Sequence, residues 1–269
     1  MLTKVFIGLS GISPRTKKLL WRQWYQFLAG HHQTKAWSFM NYGYAPLHNH
    51  SDRVKLDEED EPNRYFIQLY HHVATAADLT NLDVLEIGSG RGGGASYIKR
   101  YLKPKALTGV DFSDKAIQFC KHTYDVNGLS FIKGDAESLP FDAERFDVVI
   151  NIESSHCYGS MEAFLANVKR VLRRDGYLLY ADLRNKNDVA ELQRQIEHSG
   201  MKILNREDIT PNVLRSLDLD DQRKLILIRA LFRDWLLKPF QEFAGVKGSK
   251  IHSGFQSGTM IYLHYVLQK

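Results

Sequence analysis

Glu86 is followed by five glycines within seven residues, in Glu86-Ile87-Gly88-Ser89-Gly90-Arg91-Gly92-Gly93-Gly94. An apolar run that ends in an acid and breaks into glycine reads as strand, tight turn and helix. Glycine takes torsions a Cβ would forbid and lets the backbone approach a ligand. A helix start adds free N–H groups. Glu86, at the carboxyl end of the strand, is placed to accept hydrogen bonds from a polar or cationic ligand. Two ligand classes fit such a turn. One is a dinucleotide, since Gly88, Gly90 and Gly93 satisfy G-x-G-x-x-G. The other is S-adenosylmethionine, whose sites carry acid-x-G-x-G-x-G, met here by Glu86, Gly88, Gly90 and Gly92.

The downstream acids choose between them. Asp111, with Phe112 beside it, ends the next apolar run, and a carboxylate there can take both hydroxyls of a ribose in either ligand. Asp135-Ala136, in Gly134-Asp135-Ala136-Glu137-Ser138-Leu139-Pro140-Phe141, puts an acid and a backbone N–H at a third strand end. Together they could read an adenine's amino group and ring nitrogen, which favours S-adenosylmethionine. Asn151 and Glu153 lie at a fourth strand end and Asp182 at a fifth. In an open parallel sheet, ligands bind beyond these carboxyl ends.

The elements that must position these residues alternate. Strands are expected over 83–87, 106–111, 129–133, 146–152, 177–182 and 202–207, with helices over 93–102, 114–123, 161–172 and about 187–198. Such a β-α repeat argues for a parallel sheet with helices on both faces. Before it, helices are expected over 15–29 and from 61 to about 78. Between the two, Trp37-Ser38-Phe39-Met40-Asn41-Tyr42-Gly43-Tyr44 is either a packed loop or a lid over a ligand. After it, residues 211–244 read as strongly apolar helices and 260–267 as a last strand. The organisation is a cap and lid over 1–79, a core over 80–208, and a helical insertion with the final strand over 209–269. The fold class is α/β, a three-layer sandwich around a mostly parallel seven-stranded sheet.

Composition is that of a globular chain, 43% hydrophobic and 25% charged. No apolar run approaches the roughly 20 residues that span a bilayer. The apolar stretch 5–12 is short and lacks a small-x-small cleavage site, so it is not read as a secretory leader. Cys120 and Cys157 form no disulfide framework or metal spacing, which makes a reducing cytoplasm the default. The net charge of +5 comes from small basic groups at 15–18, 99–105 and 169–174, read as solvated helix faces. The acidic stretch 52–60 is likewise read as exposed. His31-His32, His48-x-His50 and His71-His72 have ligand chemistry but no second ligand pair, so they are read as solvated and no metal is expected.

Glu86 to Gly92, Asp111, Gly134 to Phe141, Phe146-Asp147-Val148-Val149 and Val171-Leu172-Arg173-Arg174-Asp175-Gly176-Tyr177 together resemble the class I S-adenosylmethionine-dependent methyltransferases, over about residues 80–185. A closer likeness rests on Asp60-Glu61-Pro62-Asn63-Arg64, Gly92 to Tyr97, Glu153-Ser154-Ser155-His156-Cys157-Tyr158, Tyr180 to Arg184 and Glu242 to Val246. These segments are similar to the phthiotriolone/phenolphthiotriolone dimycocerosate methyltransferases, which methylate a hydroxyl on a long lipid. The resemblance implies a Rossmann-like methyltransferase fold and S-adenosylmethionine as cofactor. Glu86, Gly88, Ser89, Gly90 and Gly92 would hold its methionine part, Asp111 and Phe112 the ribose, and Asp135 and Ala136 the adenine. The Asn151 carbonyl would touch the amino group, and Tyr42 or Tyr44 would close over the cofactor.

Methyl transfer is an in-line displacement that needs the acceptor aligned and, for a hydroxyl, a proton removed. A base of near-neutral pKa suits that task. His156, following the fourth strand, is the candidate base or else a structural loop histidine. Glu153 would orient it, bind substrate, or be a plain surface acid. The expected acceptor is a small hydrophobic or lipid-like hydroxyl, roofed by the aromatic segments 19–45 and 213–243. An amine, sterol or quinone acceptor and an inactive cofactor-binding protein are the alternatives. Missing the Asn/Asp-Pro-Pro-aromatic element after the fourth strand, the chain is not expected to bind nucleic acid. Weak membrane-surface contact, and a monomer or homodimer, stay open.

Overall fold

The computed structural model describes residues 37–47 and 53–269. The expected helix over 15–29, the basic group at 15–18 and the histidines at 31, 32, 48 and 50 lie outside the described residues.

The chain enters through α1 (Arg64–Ala74), which follows a 3-10 turn at Glu61–Asn63. Alternation then begins: β1 (Asp83–Ile87), α2 (Gly93–Tyr97), β2 (Ala106–Asp111), α3 (Asp114–Thr123), β3 (Leu129–Lys133) and β4 (Phe146–Ile152). It continues through α4 (Met161–Val171), β5 (Leu172–Asn185), α5 (Val189–His198) and β6 (Lys202–Asp208). Two helices, α6 (Thr210–Leu231) and α7 (Asp234–Ala244), and the short α8 (Lys250–Ser257) precede β7 (Met260–Gln268). The seven strands form one sheet in the order β3-β2-β1-β4-β5-β7-β6. The first five run parallel, and β7 lies antiparallel between β5 and β6.

Side chains alternate along a strand, so each strand feeds two cores. Val84, Val148 and Ile150 pack with Ile67, Leu69 and Val73 of α1 and with Val213 and Leu217 of α6. Leu85, Ile87 and Val149 pack with Phe164, Leu165 and Val168 of α4 and with Leu192 and Ile196 of α5. A smaller cluster joins Ile228 and Phe232 to Phe240 and Val246, between α6 and α7. No helix among the described residues is long and apolar enough to cross a membrane.

Several local expectations change. α1 stops at Ala74, where Thr75 N–H donates to His71 O. Past Tyr97 the helix over 93–102 relaxes into a π turn, Ile98–Leu102. β5 begins at Leu172, because Leu172 pairs with Phe146 and Arg173 reaches Asp83 and Asp147. α8 is an addition, started by Ser249 Oγ accepting from His252 N–H. Asp60 is buried, not exposed: its carboxylate takes both nitrogens of Arg100, at 2.7 and 2.9 Å, and the Tyr101 hydroxyl. Arg100 is therefore a partly buried, paired cation, and Arg173 is paired while still open to solvent.

Candidate active site

A cleft opens at the carboxyl ends of β1, β2, β3 and β4. Gly88, Ser89, Gly90, Asp111, Phe112, Asp135 and Ala136 line it, and so do Tyr70, Glu153, Cys157 and Tyr158. The turn after β1 explains its own glycines. Gly88 and Gly90 have φ of +77° and +51°. A Cβ on Gly88 would stand 2.0 Å from Ser154 Oγ, and one on Gly90 2.8 Å from Met40 Cε. Asp111 holds the turn in place: one carboxylate oxygen accepts from Gly90 N–H at 2.9 Å and the other from Ser113 N–H at 2.8 Å. Burial raises its pKa.

Five of the residues expected at the cofactor do not line this cleft. Glu86 shares its strand face with Val84, which aims it into the core beneath α1 rather than at the opening. It is 1% exposed and accepts from the Tyr70 hydroxyl at 2.8 Å. Burial pushes its pKa up to about 7. Gly92 caps α2 in the left-handed region, and a Cβ there would strike Cys120, Phe131 and Tyr124. Asn151 is fully buried and its amide ties β4 to Ile87 O and the Tyr158 hydroxyl. Tyr44 stacks on His72, ring centroids 4.3 Å apart.

Tyr42 lies elsewhere, in a second, mainly apolar cleft. Its walls are Trp37, Phe39, Met40 and Tyr42 from the 37–44 segment, Phe66 from α1, and Leu227, Ile228, Leu231, Phe232, Phe240 and Phe243 from α6, α7 and the turn between them. Phe39 and Met40 border both clefts. Arg223 and Lys224 supply its charge. Burial lowers Lys224 to about 8, and its ammonium donates to Ala244 O.

Glu153 links the two through Tyr42. It is on the wall of the first cleft, and its Oε2 accepts from Tyr42 N–H and from the Tyr262 hydroxyl, each at 3.0 Å. Burial pushes its pKa up to about 8, against those bonds and the nearby His156. Its φ of +50° is left-handed, a strained conformation for a residue with a Cβ that tends to mark functional sites. A surface acid it is not.

His156 follows on a 3-10 turn, Ser155–Cys157. Its Nδ1 lies 2.8 Å from Asp182 Oδ1, and its backbone N–H donates to Oδ2. Asp182 is fully buried and also accepts from Ser155 Oγ and Leu183 N–H, with Arg184 at 3.2 Å. Burial opposes its charge, but His156 and Arg184 outweigh burial and hold the carboxyl far below the usual carboxylate range. Burial equally opposes charge on His156, yet Cys157 and Asp182 carry its pKa well above the usual imidazole value. Asp182 was visible in sequence only as a strand-end acid. Its pairing with His156 needs β5 beside β4, which no local signal encodes. Tyr262 depends in the same way on β7 lying against β5.

The comparisons agree with this architecture. Residues 85–180 match a family model described as a methyltransferase domain. The phthiotriol/phenolphthiotriol dimycocerosates methyltransferase of Mycobacterium leprae (strain TN) is 39% identical over 267 residues, 98% of this chain and 97% of that one. A fatty-acid O-methyltransferase of Mycolicibacterium smegmatis is 42% identical over 207 residues, 74% of each. Among solved structures, the cyclopropane synthase MmaA2 of Mycobacterium tuberculosis superposes with a TM-score of 0.66 at 14% identity, covering 91% of this chain and 98% of that one.

Proposed function

We propose a reaction for a chain that belongs to the S-adenosylmethionine-dependent methyltransferases: transfer of the methyl group to an oxygen of a long, lipid-like acceptor. The observation that carries it is the apolar cleft between the 37–44 segment and α6–α7, which shares Phe39 and Met40 with the strand-end cleft. An alkyl chain in the one would bring a terminal or internal oxygen toward the other. The M. leprae relative and the fatty-acid O-methyltransferase are both named for lipid acceptors, which supports the same reading.

Two features of the strand-end cleft support a fit to the cofactor. Glu86 Oε2 and Ser89 Oγ are buried without a hydrogen-bond partner, which leaves polar capacity beneath the turn. Gly88 and Gly90 bring backbone to the cleft wall at positive φ, where a Cβ would collide with Ser154 and Met40. Gly88, Ser89 and Gly90 would hold the methionine part, with Glu86 acting from below. Asp111 and Phe112 would hold the ribose, and Asp135 and Ala136 the adenine. When bound, the cofactor supplies a methyl carbon activated by a sulfonium.

His156 is assigned the acceptor's proton. Asp182 fixes its tautomer by holding Nδ1, the arrangement that orients a general base. With a sulfonium bound in the cleft, a cation on His156 would be disfavoured, which would lower its pKa from the raised value and free it to take a proton. Glu153, locked by Tyr42 and Tyr262, orients the acceptor oxygen. A second reading makes Glu153 the base, because it lies on the cleft wall with a pKa of about 8. A carboxylate acceptor would need no base, and Arg223 and Lys224 would then meet its charge.

The test is methyl transfer to matched series of alkan-1-ols and fatty acids of increasing length. KM should fall as the chain lengthens. Turnover indifferent to chain length, or confined to short amines, would overturn the proposal. Within it, His156→Ala that keeps full turnover on the alcohols while Glu153→Gln loses it would move the base to Glu153.

A further inference from the structure

We propose that His72, Glu207 and His264 form a binding site for a divalent transition metal of the zinc class. One ligand atom from each lies within 4.8 Å of the other two. None of the three lines the strand-end cleft.

The histidine pair at 71–72 carries no second ligand pair in sequence. Folding supplies partners for His72 from far along the chain. Glu207 on β6 and His264 on β7 are register neighbours, and α1 lays His72 over them. His72 Nε2 is 3.1 Å from Glu207 Oε2. His264 Nδ1 is 3.6 Å from the same oxygen, beyond hydrogen-bond range. Ligand atoms about 2.0–2.1 Å from a tetrahedral zinc ion stand about 3.3 Å apart, so these separations bracket the required one. The third edge, His72 to His264, lies within 4.8 Å and closes by side-chain rotation, on backbone held by a helix and two strands.

The observation that points to a ligand is His264 itself. It is 2% exposed, and neither ring nitrogen has a hydrogen-bond partner. Buried polar groups are nearly always satisfied, and an imidazole with none is costly to keep. Phenylalanine would fill the same place without that cost. A metal on one ring nitrogen gives the buried imidazole the partner it lacks there. His72 and Glu207 are partly open to solvent, so an ion can enter and a water can complete the shell.

The site has a use in the fold. Tyr44 stacks on His72, and its N–H donates to Tyr65 O. Two residues earlier, Tyr42 N–H holds Glu153. An ion on His72 would stiffen the ring under the lid segment and steady Glu153 through it. The role is positional; the ion takes no part in methyl transfer.

The experiment is titration of the metal-stripped full chain with Co²⁺ and with Zn²⁺. Expected are one Co²⁺ per chain with the visible bands of a low-coordinate site, competition by Zn²⁺, and a Tm that rises with Zn²⁺. His72→Ala and His264→Phe should each weaken binding by more than about hundredfold, beyond the loss typical of a second-shell change. Metal-stripped His264→Phe should melt no lower than metal-stripped wild type. Should His264→Phe not fold, His72→Ala and Glu207→Gln carry the test at part-exposed positions. Binding that survives these substitutions, or a wild type that neither binds Co²⁺ nor gains Tm with Zn²⁺, overturns the site.

Discussion

Asp182 concentrates the local energetics. Removing it leaves His156 and Arg184, both partly buried, without their carboxylate, and breaking a buried pair in this way costs about 3–5 kcal/mol. Asp182→Ala should lose that much in urea unfolding at neutral pH. Asp182→Asn keeps the shape and should lower turnover about 10²–10⁴-fold with cofactor affinity near normal. The pH dependences of Asp182 and Glu153 have opposite signs. Asp182 has a depressed folded pKa, so its stabilisation is complete above the ordinary carboxylate value and is lost as pH falls through the folded value. Wild type should therefore lose more stability on acidification than Asp182→Asn. Glu153 has a raised folded pKa, so its ionisation costs stability increasingly from pH 4.5 up to about 8. Glu153→Gln should match wild type below that window and exceed it in Tm above. Sequence marked all the strand-end acids because sheet topology fixes where they fall. It could not separate Glu86, which turns into the core, from Asp111, which lines the cleft. That difference depends on α1 crossing the face of β1.

At the scale of elements, the turn after β1 is under the tightest geometric constraint. Gly88→Ala combines a left-handed φ with a Cβ 2.0 Å from Ser154 Oγ, and it should abolish binding of S-adenosylhomocysteine in calorimetry. Gly258→Ala is the control: its φ is +70° and nothing lies within 4 Å of the added atom. It should cost only the left-handed strain, about 1–2 kcal/mol, and leave binding unchanged. Core strands and helices were readable because their apolar periods are strong and their turns carry glycine or proline. α8 was not, since Lys-Ile-His-Ser-Gly-Phe-Gln-Ser has poor helix propensity and is held by its serine cap and by packing of Phe255. The early start of β5 was hidden because Arg173-Arg174-Asp175-Gly176 has the composition of a turn. The Leu172–Phe146 pair and the carboxylates of Asp83 and Asp147 hold Arg173 beside the sheet.

Across the whole molecule, the parallel strands β1 to β5 present their ends, and residues 37–42 with α6 and α7 add an apolar wall beside them. Phe232→Ala and Phe240→Ala open the stacked pair that closes this wall. Each should raise KM for a long-chain acceptor several-fold while leaving S-adenosylhomocysteine affinity within about twofold; equal loss of both would mean general destabilisation. The wall was legible as aromatic density at 37–44 and 225–243, but its use as a cleft rather than as extra core depends on how the segments meet. The most direct measurement is incubation with methyl-labelled S-adenosylmethionine and a fractionated lipid extract, followed by mass spectrometry of the labelled products. Label in a methoxy group or methyl ester of a long-chain lipid is the expected result. Label confined to water-soluble amines, or carried on carbon, would contradict the proposed reaction.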